Sequence, residues 1–175
     1  QMCIRDRFRR EGESLFVPKD GCFSFQQVRN RRSGLVEEGA FRYVHATEAG
    51  ERHVVGYAFA GEFVGDYISM CVDAPSQVTI GAMCGAEALL VPGERLETFY
   101  RTDAACERLG RRLAEHMLAE VYERLLDRYA ASPQQRYEAL TERCPDVLQL
   151  VPLRELASYL GVRPETLSRI RRRVR

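Results

Sequence analysis

The chain has 175 residues, of which 45% are hydrophobic and 29% charged, and its formal net charge is +1. This balance excludes a wholly disordered chain, and no uncharged apolar run approaches the length that a membrane-spanning helix needs. We therefore expect a cytoplasmic protein of one large domain or two small ones, with no membrane partner. The first residue is Gln rather than Met, which leaves open that the natural N-terminus is missing.

Short strands separated by turns occupy residues 12–96. Strands are predicted at 14–18, 40–46, 52–60, 78–83 and 86–91. A hairpin turn is predicted at 47–51, where Gly50 can take a positive φ. Alternation places one set of side chains on a single face of each hairpin strand: Phe41, Tyr43 and His45 on the first, and His53, Val55, Tyr57 and Phe59 on the second. The pattern predicts an antiparallel β-roll or jelly roll over residues 1–101 and, with the helices below, an α+β fold.

A helical pattern follows over residues 102–131. The segment has no proline and one glycine. Apolar residues recur every four positions, at Leu109, Leu113, Met117, Val121 and Leu125. About 30 residues at about 1.5 Å each make a helix roughly 45 Å long. Its apolar surface is wider than one stripe, so we expect one side to pack on the β-roll and another to form a homodimer. Packing on its own domain alone is the alternative.

The C-terminal part, residues 132–175, contains shorter helices. Breaks are predicted at Ser132–Pro133 and over 141–152. The helices at 152–161 and 162–174 have the spacing of a helix-turn-helix, with Gly161 at a left-handed turn and Val162 at the corner. Ala157 is small where the helices cross. The inward residues are Leu153, Leu156, Leu160, Leu167 and Ile170, and Val174 continues their stripe.

The last helix carries charge suited to DNA. Residues 131–175 contain nine arginines and five acidic residues, on an otherwise mildly acidic chain. If the pair docks on DNA, the residues nearest the bases are Glu165, Thr166, Ser168 and Arg169. Arginine can bond guanine, and glutamate can accept from cytosine. Phosphate contacts are expected from Arg163, Arg171, Arg172, Arg173 and Arg175. A purely structural helical hairpin is the alternative.

Three segments carry a family resemblance: "FAGEFVGDY" (59–67), the long helix at 102–131, and "LASYLGVRPETLSRIRRR" (156–173). Together they resemble the Crp/Fnr family of bacterial transcription regulators over about residues 12 to 175. The resemblance implies a dimer on a palindromic site with TGA-like half-sites, read through the pattern E-x-x-S-R at Glu165, Ser168 and Arg169. It also implies an effector pocket at Gly61, Glu62, Phe63, Gly65, Asp66, Ser76 and Gln77.

Departures from the family pattern argue against cyclic AMP. Ser76–Gln77 stands where members that bind cyclic AMP carry Arg-Ser, and no arginine lies between Arg52 and Arg95. Asp66 replaces a longer glutamate. A buried phosphate without a cationic partner is costly, so we expect the pocket fold without cyclic AMP binding.

Other cofactors are also not expected. The six cysteines are at least 13 residues apart, and only Cys3 and Cys22 precede the predicted hairpin, which argues against an iron–sulfur cluster or a structural metal. The candidate haem ligands His45, His53 and His116 are more typical of ordinary histidines. We expect no cofactor, no metal and no catalytic residue.

We expect a DNA-binding regulator that also contacts RNA polymerase and has an unknown small-molecule effector or none. One alternative is a cupin-like metal-dependent enzyme or a small-molecule-binding β-roll, with His45 and His53 converging across the 47–51 turn. Another is a regulator that binds only a partner protein through its helix-turn-helix. Many relatives continue into a β-hairpin wing beyond the position of Arg175, so either this branch has no wing or the sequence is truncated.

Overall fold

The computed structural model describes residues 12–174, which divide between Phe99 and Tyr100 into two compact units. The first unit is built mainly of strands and the second of helices. The predicted α+β class is confirmed. The division lies within two residues of the predicted end of the β-roll at residue 101.

The strands of the first unit form two four-stranded antiparallel sheets. They are β1 (Glu13–Val17), β2 (Cys22–Ser24), β3 (Arg32–Glu38), β4 (Ala40–Ala46), β5 (Arg52–Phe59), β6 (Phe63–Val64), β7 (Thr79–Ala82) and β8 (Ala86–Pro92). One sheet has the order β1-β8-β3-β6 and the other β2-β7-β4-β5. Two helices complete this region, α1 (Tyr67–Cys71) and α2 (Gly93–Tyr100).

The core of the first unit draws side chains from both sheets. Phe41 of β4 and Ile80 of β7 are fully buried, as are Val36 of β3 and Val64 of β6. The ring of Phe23 meets that of Phe41 edge-on, with centroids 5.8 Å apart. Apolar side chains that alternate along each strand thus fill one interior, as antiparallel sheets with one covered face require.

An extra residue in β5 interrupts the alternation of the hairpin. Tyr43 is opposite Gly56 and Val44 is opposite Val54, which leaves Val55 without a partner in β4. Such a bulge reverses the alternation on either side of it. Val55 is accordingly 54% exposed.

The bulge corrects one prediction. Residues directly opposite in an antiparallel pair share a face, so His53 lies on the face of His45, and Tyr57 lies on the opposite face with Arg42. The predicted single face of His53, Val55, Tyr57 and Phe59 is therefore wrong. Tyr57 and Phe59 do share a face, where their rings stack 5.9 Å apart.

The second unit begins with the long helix α3 (Ala104–Ala130), inside the predicted range 102–131. Asp103 caps its start by accepting hydrogen bonds from the amides of Ala105 and Cys106, at 2.7 and 2.9 Å. Ala131 caps its end, and Ser132 opens the next helix, so these two residues alone separate them.

Four shorter helices follow: α4 (Pro133–Arg143), α5 (Val147–Leu150), α6 (Leu153–Tyr159) and α7 (Pro164–Val174). Ser132 and Gln135 form a reciprocal capping box at the start of α4, next to the predicted break at Pro133. The segment predicted only as a break at 141–152 contains the helical turn α5. Within residues 12–174, no helix is both long and apolar enough to span a bilayer.

The tight turn between β3 and β4 can be tested by substituting two glycines that have the same backbone angle φ. Gly39 and Gly50 both have φ +82°, but a Cβ on Gly39 would lie 2.7 Å from the carbonyl oxygen of Gly85, whereas one on Gly50 meets nothing within 4 Å. We expect Gly50→Ala to lower the free energy of unfolding by about 1–2 kcal/mol through the left-handed conformation alone. Gly39→Ala should cost about 1–3 kcal/mol more, because backbone atoms must move. Equal losses in urea unfolding would contradict the close approach.

Candidate nucleic-acid interface and effector pocket

The turn between α6 and α7 ends the first helix sharply. Gly161 has φ +67°, in the left-handed region, as the sequence predicts. Its amide donates to the carbonyl of Ser158 at 3.0 Å, and the amide of Val162 donates to that of Ala157 at 2.9 Å. This bonding pattern satisfies the last carbonyls of α6 and reverses the chain direction, so that α7 can start at Pro164.

Apolar packing fixes which face of α7 points outward. Leu167 is fully buried and Ile170 is 7% exposed, while Leu156 and Ala157 of α6 are fully buried. Of the other predicted inward residues, Leu160 is buried and Leu153 is half-buried. Val162, predicted at the corner of the turn, is also half-buried. Val174, predicted to lie on the same stripe, is 39% exposed. Val174 stands at the last position of α7, where the packed stripe has ended.

The outward face of α7 presents the predicted DNA-binding residues. Those exposed are Arg163, Glu165, Arg169, Arg172 and Arg173, and those half-buried are Thr166 and Ser168. The guanidinium of Arg169 lies 3.4 Å from the hydroxyl of Thr166, and Arg172 donates to the carbonyl of Ser168 at 3.4 Å. The face combines several cationic donors with one carboxylate, which suits phosphates and base edges. Arg175 lies outside the described residues.

Two of the predicted pocket residues, Ser76 and Gln77, converge on the carboxylate of a third, Asp66. Asp66 caps the start of α1 and accepts from the amide and hydroxyl of Ser69 at 3.1 and 2.8 Å. It also accepts from the hydroxyl of Ser76 at 2.9 Å and the amide of Gln77 at 3.1 Å. We call Asp66, Ser69, Ser76 and Gln77 the Asp66 cluster. Its donors are those that an anion would use, and the protein's own carboxylate already occupies them.

The cluster shifts the acidity of Asp66. Burial alone would raise the pKa of this carboxyl, but the hydrogen bonds from Ser69, Ser76 and Gln77 outweigh burial and lower the pKa below its ordinary value of 3.8. Ser69 was not predicted from the sequence. An N-cap side chain usually accepts from the amide three residues later, which is the spacing of Asp66 and Ser69.

The remaining predicted pocket residues form the turn from β5 to β6. Gly61 has φ +86°, and the carboxylate of Glu62 accepts from the amide of Phe59 at 3.0 Å. The amide of Gly65 donates to the hydroxyl of Tyr43 at 3.1 Å, and Phe63 is half-buried in β6. The carboxylate of Glu62 therefore binds the backbone of the turn in which Glu62 itself lies.

The predicted dimer residues of α3 do not share one environment. Leu109, Leu113 and Met117 are half-buried within the single chain, whereas Val121 and Leu125 are 56% and 50% exposed. Residues four apart are about 40° out of line on a helix, so the five spread over about 160°. Val121 and Leu125 belong to a broad exposed apolar surface with Leu118, Tyr122, Leu126 and Tyr129. We call these six residues the α3 apolar surface.

The histidines have separate neighbours. His45 Nδ1 is 2.8 Å from the carbonyl oxygen of Gln77, and His53 Nε2 is 3.5 Å from the carboxylate of Glu51. His116 lies 3.3 Å from Glu120, one helical turn away. Across residues 12–174, no three His, Cys, Asp or Glu side chains are grouped so as to hold a metal ion. Cys3, weighed above as part of a cysteine cluster, lies outside the described residues.

Comparison with solved structures identifies the fold. FixK2 from Bradyrhizobium japonicum is 17% identical, with a TM-score of 0.78 over 93% of this chain and 84% of that one. A putative cAMP-binding regulatory protein from Silicibacter pomeroyi is 22% identical, with a TM-score of 0.73 over 97% and 78%. The Thermus thermophilus catabolite activator protein is 18% identical, with a TM-score of 0.58 over 97% and 81%. The Crp/Fnr-like fold is thereby confirmed. No protein-family model matches the chain, and no curated protein is significantly similar to it in sequence.

The Asp66 cluster predicts a pH-dependent contribution to stability. Because the folded-state pKa of Asp66 lies below its unfolded-state value, the charge stabilises the fold fully above that value. The stabilisation is lost as pH falls through the folded-state pKa. We expect Asp66→Asn to be less stable than the wild type at pH 7, and the gap to shrink below about pH 5.

Urea unfolding between pH 7 and pH 3 measures this gap. Asp20→Asn is the matched control, because the side chain of Asp20 is 68% exposed and 3.5 Å from Arg42. The difference in stability between Asp20→Asn and the wild type should be small at every pH. A gap for Asp66→Asn that stays constant or widens in acid would contradict the assignment.

Proposed function

We propose that this chain is a DNA-binding transcription regulator that acts as a homodimer and has no catalytic role. The observation that carries the proposal is the outward face of α7, which is rich in arginine and held in place by the buried Leu167 and Ile170. A helix-turn-helix with such a face has the geometry for the major groove. The regulators that share the fold support the same function.

Base reading is assigned to the start of α7. Arg169 would donate to guanine O6 and N7 and Glu165 would accept from cytosine N4, on a palindrome with TGA-like half-sites. Ser168 completes the E-x-x-S-R pattern, and Thr166 lies within hydrogen-bonding range of Arg169. Arg163, Arg172 and Arg173 supply phosphate contacts, which strengthen binding without choosing a sequence.

Dimerisation is assigned to the α3 apolar surface. Its six side chains lie on one side of the helix, and Tyr129 is 83% exposed in the single chain. Exposed apolar side chains in a continuous patch mark a protein interface. Pairing with the same surface of a second chain would place two copies of α7 about one DNA turn, roughly 34 Å, apart.

The effector is proposed to be something other than cyclic AMP. Ser76 and the amide of Gln77 already bind the carboxylate of Asp66. A cyclic phosphate at these donors would face that negative charge at close range. Haem and iron–sulfur clusters are not proposed. The remaining partners are RNA polymerase and, if one exists, an uncharged or cationic small molecule in the β-roll, with the cytoplasm as the location.

Base reading is tested by site selection on a random duplex library, followed by binding measurements on the selected site. We expect a palindrome with TGA-like half-sites. Glu165→Ala and Arg169→Ala should each cost about 1–3 kcal/mol on that site and relax the base preference at one position. Arg173→Ala is the control, and should weaken all sequences by a smaller and more even amount. Unchanged specificity in the first two variants would exclude them as base readers and favour a protein-binding helix-turn-helix.

Dimerisation is tested by truncating the α3 apolar surface. Tyr122→Ala with Leu125→Ala removes two exposed apolar side chains and should raise the dimer dissociation constant roughly tenfold or more, as loss of central interface residues does. Glu123→Ala lies between them in sequence but on another face of α3, and should change it less than about twofold. Sedimentation velocity over a concentration series measures both, and an unaltered dimer in the double variant would refute the assignment.

A further inference from the structure

One arginine joins the ends of two helices in the second unit. Arg136, in the first turn of α4, donates through Nη1 to the carbonyl of Ala131 at 2.9 Å and to those of Asp127 and Arg128 at 3.3 Å. Its Nη2 donates to the carbonyl of Leu160 at 2.8 Å. The first three carbonyls end α3 and the fourth ends α6, the first helix of the helix-turn-helix.

The chemistry of this bridge is favourable at both ends. The last carbonyls of a helix have few intrahelical donors and carry the negative end of the helix dipole. Among those at the end of α3, the carbonyl of Asp127 also accepts from the amide of Ala131 at 3.1 Å. A guanidinium offers several N–H groups in a rigid planar fork, so Nη1 and Nη2 can serve different acceptors at once. A lysine ammonium is one compact centre and can serve one helix end well, but not two at the spacing of this fork.

The surrounding chain leaves little freedom to compensate for loss of the bridge. Ala131 and Ser132 are the only residues between α3 and α4, and the capping box of Ser132 and Gln135 fixes the start of α4. Rotation about these two residues is the simplest way for α6 and α7 to swing against α3. The bonds from Arg136 to the last carbonyls of α3 span that hinge, and its bond to Leu160 ties the end of α6 to the same guanidinium.

We propose that Arg136 is a positioning residue that fixes the angle between α3 and the helix-turn-helix, and thereby the spacing of half-sites that the dimer accepts. This proposal rests on the proposed function. Because α3 joins the two chains, the angle at each hinge fixes the separation of the two copies of α7. One inserted base pair moves a half-site by about 3.4 Å and rotates it by about 35°, which a rigid pair of readers cannot follow.

The test uses full-length protein and duplexes that carry the wild-type selected palindrome with its spacer lengthened or shortened by one and two base pairs. We expect the wild type to lose about tenfold or more in affinity at a one-base-pair change, because one half-site is no longer engaged. Arg136→Ala should discriminate between these spacers by less than about threefold, and its affinity for a single half-site should stay within about twofold of the wild type. Retained tenfold discrimination in Arg136→Ala would overturn the proposal.

Two further variants separate positioning from other roles. Arg136→Lys keeps the charge but not the fork, and should tolerate altered spacers as Arg136→Ala does, provided that its thermal unfolding matches the wild type. Arg154→Ala removes an exposed arginine from α6 and should weaken binding to every spacer equally. Wild-type discrimination in Arg136→Lys would show that charge alone is sufficient and would overturn the bridge.

Hydrogen exchange in the protein without DNA keeps the two proposals distinguishable. Loss of the bridge should speed amide exchange roughly tenfold at both Ala131 and Gly161–Val162, with little change at the buried Tyr137 and Leu140 of α4. If Arg136→Ala exchanges faster than the wild type at both ends, but the wild type selects no DNA, the proposed function is refuted and the bridge is retained. Unchanged exchange at both ends in Arg136→Ala would overturn the bridge whatever the DNA result.

Discussion

The burial of Leu167 and Ile170 against the first helix of the helix-turn-helix is the interaction on which the functional surface depends. Arginine side chains are long and flexible, so their direction is set by the helix that carries them rather than by contacts of their own. By burying one stripe, α7 directs Glu165, Arg169 and Arg172 outward together. The glycine turn at Gly161 supports this arrangement, because a chain that turned differently would bury another face. The direction of these charged side chains is thus a consequence of apolar packing on the opposite side of the helix.

In the β-roll, the Asp66 cluster likewise depends on one interaction, between a carboxylate and the donors around it. The amides of Ser69 and Gln77 and the hydroxyls of both serines point at one place, although the hydroxyls also lie within hydrogen-bonding distance of the carbonyls of Pro75 and Val78. The carboxylate of Asp66 lies there, and the same carboxylate caps α1. The donors around Asp66 are thus held by a group of the chain itself.

Much of this architecture follows from local sequence patterns. The long helix, the glycine turn and the buried residues of the helix-turn-helix depend on spacings of three to seven residues, which a sequence displays directly. The strands β2, β3 and β6 are not predicted. β2 and β6 have three and two residues and give no usable period, and Gly34 interrupts the apolar pattern of the seven-residue β3. The bulge at Val55 was missed because alternation assumes one residue per partner. Arg136 acquires its role from contacts made outside its own helix, whereas Ser69 lies only three positions from Asp66 and was missed despite its local spacing. The bond from Arg136 to Leu160 spans 24 positions, and no local pattern marks it.

The α3 apolar surface has a consequence for how the amount of dimer depends on the concentration of the chain. When two chains must associate before either can engage a palindrome, the concentration of the competent species rises with the square of the free chain concentration wherever the dimer is a minority. Doubling the amount of chain then raises occupancy of a weakly filled site about fourfold rather than twofold. If the chain dimerises as proposed, the amount of dimer would rise more steeply than the amount of chain, even without a bound effector. The six side chains along α3 would set the concentration of chain at which the dimer forms.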